Sequence, residues 1–113
     1  MLTAFSDQLR ALPHESVLLF YARLAHGLTV IIRRVLSDER LVDVAKQRTV
    51  MLVNEAMHRI TSKLAAEAAG DTSWDHDALH AELAQRSTQE PSLTVEFDSA
   101  IRSALTAASQ HRR

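Results

Sequence analysis

The sequence predicts an all-α protein: a small helical bundle built on a long antiparallel helical hairpin, with shorter N- and C-terminal helices. Three observations carry this. Between Pro13 and Gly70 there is no proline, and Gly27 is the single glycine. Within that stretch Val17, Tyr21, Leu24, Leu28, Ile31 and Val35 recur at a 4-3-4-3-4 spacing, which keeps one face of a helix apolar. Two glycines and two prolines in the whole chain are too few for a turn-rich β fold.

The elements follow in order. Leu2, Phe5, Leu9 and Leu12, spaced 3-4-3, predict a short amphipathic first helix. Pro13 suits the first turn of the next helix, where a missing N–H costs nothing. That second helix is expected over about 14–36, roughly 35 Å long at ~1.5 Å per residue. Ser37-Asp38-Glu39 offers an N-cap and first-turn acids for a third helix over about 39–69, and Gly70 is its expected left-handed terminator. The short connection makes the two long helices antiparallel neighbours. Asp71-Thr72-Ser73 reads as a loop with a further N-cap. A fourth helix is expected over about 74–86, starting at Trp74. The run from Ser87 to Ser92, with Pro91 in it, is the clearest break. A last helix carries Leu93, Phe97, Ile101, Leu105 and Ala108, and His111-Arg112-Arg113 is expected to fray.

The 113 residues make one domain. With 46% hydrophobic residues but 4% aromatics, the core must be aliphatic, with Leu24, Leu28, Leu52 and Ile60 inside it. The absence of cysteine excludes disulfides, thiolate metal sites and cysteine nucleophiles. No basic-then-apolar leader opens the chain, and uninterrupted apolar runs such as 17–22 fall short of the ~20 residues of a membrane span. A cytoplasmic protein without membrane association is expected. A formal net charge of −1 gives no general pull on nucleic acid. The charge is uneven: Arg33 to Lys63 holds seven Lys/Arg against four Asp/Glu, and Glu67 to Asp98 holds eight acids against Arg86 alone. The two halves are expected to neutralise each other internally.

The second helix carries apolar residues beyond its main stripe: Leu19 and Val30 bracket His26 on the far side. A helix apolar nearly all round is buried on several sides, either by the short helices wrapping it or by a second copy of the chain. The thinness of a ~35 Å hairpin favours the second, a homodimer using Leu19, His26 and Val30. On the third helix, Leu41, Ala45, Leu52, Ala56, Ile60 and Leu64 form the core arc. Asn54, Glu55, His58 and Arg59 form a polar face, the leading candidate for function. Glu55-x-x-His58 places a carboxylate and an imidazole one turn apart, half of the motif used in di-iron carboxylate bundles. No second copy of it exists in the chain.

The stretch Glu55-Ala56-Met57-His58-Arg59-Ile60 also resembles the phosphoacceptor box of bacterial sensor histidine kinases, where an exposed His followed by Arg sits on a long helix of a dimeric hairpin. The resemblance implies phosphotransfer at His58. Ser62 or Lys63 stands where the box carries an Asn, and no glycine-rich ATP-binding region is present. Without one, the resemblance implies at most a phosphotransfer or dimerisation module. His76 and His80, at i,i+4, are weaker metal candidates. Arg33, Arg34, Arg40, Lys46 and Arg48 around the hairpin turn are the only basis for weak nucleic-acid binding. No triad spacing, nucleophile elbow or phosphate-cradling loop occurs. The expectation is therefore a non-enzymatic interaction or regulatory module without cofactor, with a metal or phosphotransfer site at Glu55/His58 as the competing class.

Overall fold

The computed structural model describes residues 2–70 and 73–111; Asp71, Thr72 and the two terminal arginines, on which loop and fraying expectations fell, lie outside them. The described residues form five α-helices: α1 (Ser6–Arg10), α2 (His14–Ser37), α3 (Asp43–Ala68), α4 (His76–Gln89) and α5 (Ser92–Gln110). The all-α class is as the sequence predicts.

Cross-helix contacts define the packing. His14 meets Glu67, Thr29 meets Met57, and Lys46 reaches the Leu36 carbonyl, so α2 and α3 run antiparallel as a hairpin. Arg59 meets Glu82, Glu55 meets Arg86, and Arg48 reaches the Gln89 carbonyl, which sets α4 antiparallel to α3. Ser16 bonds the His111 carbonyl and Arg34 pairs with Glu96, which sets α5 antiparallel to α2. The result is an up-down-up-down four-helix bundle with extents of 45 × 26 × 21 Å. Because α4 is short, one corner at the lower end is vacant. The N-terminal segment fills it: Ser6 and Arg10 bond Asp77, and Phe5 packs edge-on to His80.

The core is the expected stripe with two additions. Leu24, Leu28, Leu52 and Ile60 are all at most 3% exposed. Phe5, Phe20, Tyr21 and Phe97 join them, so the few aromatics of the chain cluster inside. Val53, outside the predicted arc, is also fully buried.

Four expectations are corrected. The surplus apolar surface of α2 is taken up by α5 of the same chain. Gly27 permits this: a Cβ there would lie 3.1 Å from Ala100 Cβ. The argument for a second copy on this face therefore loses its premise. His26 stays exposed at the mouth of the α2/α5 furrow, and Leu19 and Val30 are half-buried. Ser37-Asp38-Glu39 does not cap α3, whose N-cap is Val42 without a side-chain bond. Asp38 instead closes the turn, accepting from the Arg40 guanidinium and from the Arg40 N–H, and these bonds hold its carboxyl down at about 2. Trp74 precedes α4, which begins at His76 after the capping Asp75. His111 is tied to the first turn of α2 through its carbonyl, and its imidazole lies 3.9 Å from Glu15. Gly70 does terminate α3, at φ 107°.

By length and composition α2 is apolar enough to cross a membrane, contrary to the reading from uninterrupted runs. In the bundle its apolar faces lie against α3, α5 and the N-terminal segment.

Candidate functional site

The polar face expected on α3 is divided by the structure. Glu55 and Arg59 turn toward α4. There Arg86, with a side chain only 12% exposed, lies 3.3 Å from Glu55 and 3.6 Å from Glu82, while Arg59 meets Glu82 at 3.2 Å. These four charges form one alternating ladder that holds α4 on α3. The Glu55 carboxylate thus meets Arg86 while staying half-exposed. Asn54 and His58 point the other way, into solvent. They line an open, shallow depression with Gln47, Met51, Thr61 and the half-exposed Glu55, edged by Val50 and Met57.

The other charges of α3 behave as Glu55 and Arg59 do. Lys46 donates to the Leu36 carbonyl at 3.1 Å and Arg48 to the Gln89 carbonyl at 3.0 Å. Lys63 sits over the Trp74 ring, 5.3 Å from its centroid. Glu67 pairs with His14 at 2.8 Å, its side chain 4% exposed. After Asp43 in the first turn, every Lys, Arg and Glu of α3 meets a partner on its own bundle, with Arg48, Glu55 and Arg59 still exposed along that flank. Along the face away from the bundle Val44, Gln47, Met51, Asn54, His58, Thr61, Ala65 and Ala68 are all exposed. Val44 and Met51 are 77% and 54% exposed. The spacing is an unbroken 3-4-3-4-3-4-3, the seam spacing of a helix that packs on another helix. The sequence contained this signal; a search for charged and catalytic residues passes over it because it consists of their absence.

The histidine pair of α4 is not a chelate. His76 is buried, and its Nδ1 lies 2.7 Å from the Tyr21 hydroxyl. His80 Nε2 is 3.4 Å from the Leu2 carbonyl. No group of three metal-ligating side chains occurs among the described residues. Around His76 the rings form a stack: Trp74 lies parallel to Tyr21, with centroids 4.3 Å apart and 2° between planes. Burial, and secondarily Arg10, pushes the His76 imidazole below its ordinary value against the pull of Asp77 and Asp75. Burial also raises the Tyr21 phenol well above its usual range, so it stays a neutral hydrogen-bonding group. Trp74 Nε1 and Glu67 Oε1 are buried here without a hydrogen-bond partner.

Four of the five basic residues of the hairpin turn are engaged, and Arg33 is exposed. Arg34 pairs with Glu96 and Arg40 with Asp38, while Lys46 and Arg48 are held by carbonyls. No protein-family model matches the sequence, and neither curated proteins nor solved structures give a match.

Proposed function

We propose that this protein is a non-enzymatic helical interaction module whose working surface is the outward face of α3. The observation that carries the reading is the inward turn of the α3 charges, which leaves a seam of exposed, uncharged residues from Val44 to Ala68. A solvated helix face normally carries its charges outward, so a stripe emptied of them over six turns is the pattern of a surface that becomes covered. The engagement of the Glu55 carboxylate by Arg86 supports binding over metal chemistry.

The experiment is site-specific photocrosslinking in living cells. A benzophenone amino acid at Met51 gives a discrete protein adduct, and the same residue at Val95, 76% exposed on α5, gives none. Absence of an adduct from Met51, or equal labelling from both positions, overturns the reading.

A further inference from the structure

We infer that the outward face of α3 pairs with the same face of a second copy of this chain, antiparallel about a two-fold axis near the level of Ala56. The inference rests on the α3 reading above and names its partner.

The seam is self-complementary when reversed. Its N-terminal half carries the larger residues, Val44, Gln47 and Met51. Its C-terminal half carries the small ones, Thr61, Ala65 and Ala68. Setting two copies antiparallel over the full length of α3 places Val44 against Ala68, Gln47 against Ala65, and Met51 against Thr61. Each layer then joins a large residue to a small one, the arrangement that lets two helices approach closely. At the centre Asn54 meets His58, an amide opposite an imidazole, which can exchange a hydrogen bond at the axis. A parallel pairing would set Met51 on Met51 and Ala65 on Ala65, crowding the layers of the N-terminal half and leaving those of the C-terminal half empty.

The flanks agree. On the side toward α2 run Val50, Met57 and Leu64, all half-buried and uncharged, so reversal sets Val50 beside Leu64 and Met57 beside Met57. On the side toward α4 Glu55 approaches its own copy, but each Glu55 already has its Arg86. Val44, Met51, Ala65 and Ala68 exclude water on pairing, while Gln47, Asn54, His58 and Thr61 need hydrogen-bond partners across the seam. The seam is about 36 Å long at ~1.5 Å per residue. A contact along one helix is small beside the ~800 Å² per partner of a standard interface, so association must be followed over a wide concentration range.

The test uses the absence of native cysteine. Full-length Met51→Cys and Thr61→Cys proteins are mixed, oxidised and resolved without reductant. The inference expects a disulfide-linked dimer from the mixture and little from either variant alone. In parallel, sedimentation equilibrium from 1 µM to 1 mM follows the unmodified chain, Met51→Glu and Val95→Glu, with circular dichroism as the folding control. Met51→Glu should weaken association at least tenfold, and Val95→Glu should leave it unchanged. Crosslinking of Met51→Cys to itself, or a dimer indifferent to Met51→Glu, overturns this pairing. A monomer mass of 12.6 kDa throughout overturns self-association altogether. In both cases the photocrosslinking from Met51 still reads a different partner, so the two proposals fail separately.

Discussion

The Tyr21 hydroxyl and His76 Nδ1 lie 2.7 Å apart, 55 residues apart in the chain, and join the middle of the bundle to the start of α4. A neutral Tyr21 hydroxyl donates to Nδ1 of the Nε2–H tautomer or accepts from an Nδ1–H, so the contact is kept with a neutral imidazole in either tautomer. The imidazole is pushed below its ordinary value by burial, so the folded state disfavours the proton that the unfolded chain accepts near pH 6.5. The contribution is therefore fully present above that pH. It is lost as pH falls through 6.5 toward the lower folded value. Urea melts at steps from pH 8 to pH 5 should show stability falling in that window. In His76→Gln the slope should flatten. An unchanged slope in that variant would remove His76 as the cause.

A second acid transition should follow below pH 4. Asp77 is held below the usual carboxylate range by Ser6 and then Arg10, and Asp98 by the Thr3 hydroxyl and N–H. Their stabilisation exists above the unfolded value near 3.9 and disappears as pH falls through the lower folded values. Both tie the N-terminal segment to the bundle. Amide exchange at residues 3–10 should therefore accelerate before that of α2 as the solution is acidified. Simultaneous loss would mean that the segment is held by Phe5 and Leu9 alone.

Gly27 tests the α2/α5 contact. A Cβ there would stand 3.1 Å from Ala100 Cβ, so Gly27→Leu must push the helices apart. The expected loss is about 1–3 kcal/mol in chemical denaturation. Ala100→Gly in the same chain should return only part of it, because the leucine needs more room than one methyl group leaves. A neutral Gly27→Leu would mean that α5 does not approach α2 here.

The ladder on α4 separates its members by burial. Arg86→Ala removes a nearly buried guanidinium from between Glu55 and Glu82, and should cost about 2 kcal/mol, between exposed and buried ion pairs. Glu55→Ala, at a half-exposed carboxylate, should cost at most about 1 kcal/mol. Equal losses in thermal or urea melts would contradict the central position of Arg86.

The helices and most of the core were legible in the sequence because apolar spacing depends only on the helix itself. Leu28 and Ile60 are buried whichever neighbours they meet. Partners were not legible. The stripe through Leu19 and Val30 says that α2 packs on more than one side, but not that α5 supplies the cover, since any apolar helix would satisfy it. Asp38 could cap α3 or close a turn, and the choice lies in Arg40 reaching back to it. Glu55 had a histidine one turn away and an arginine 31 residues away, and the fold chose the arginine. Only the antiparallel setting of α3 and α4 brings that guanidinium within reach.

His58 gives the last prediction. It stands exposed on the seam, and its side chain makes no contact with the core stripe. His58→Ala should therefore leave stability within about 0.5 kcal/mol, as for other exposed positions. A functional seam makes the opposite demand on binding: the photocrosslinked adduct from Met51 should weaken, because the imidazole next along the seam is gone. His58→Gln should keep most of the adduct, since its amide can still hydrogen-bond. Loss of folding in His58→Ala would place the side chain in the core and contradict the exposed position. Intact folding with an undiminished adduct would leave Met51 on a working surface from which His58 is absent.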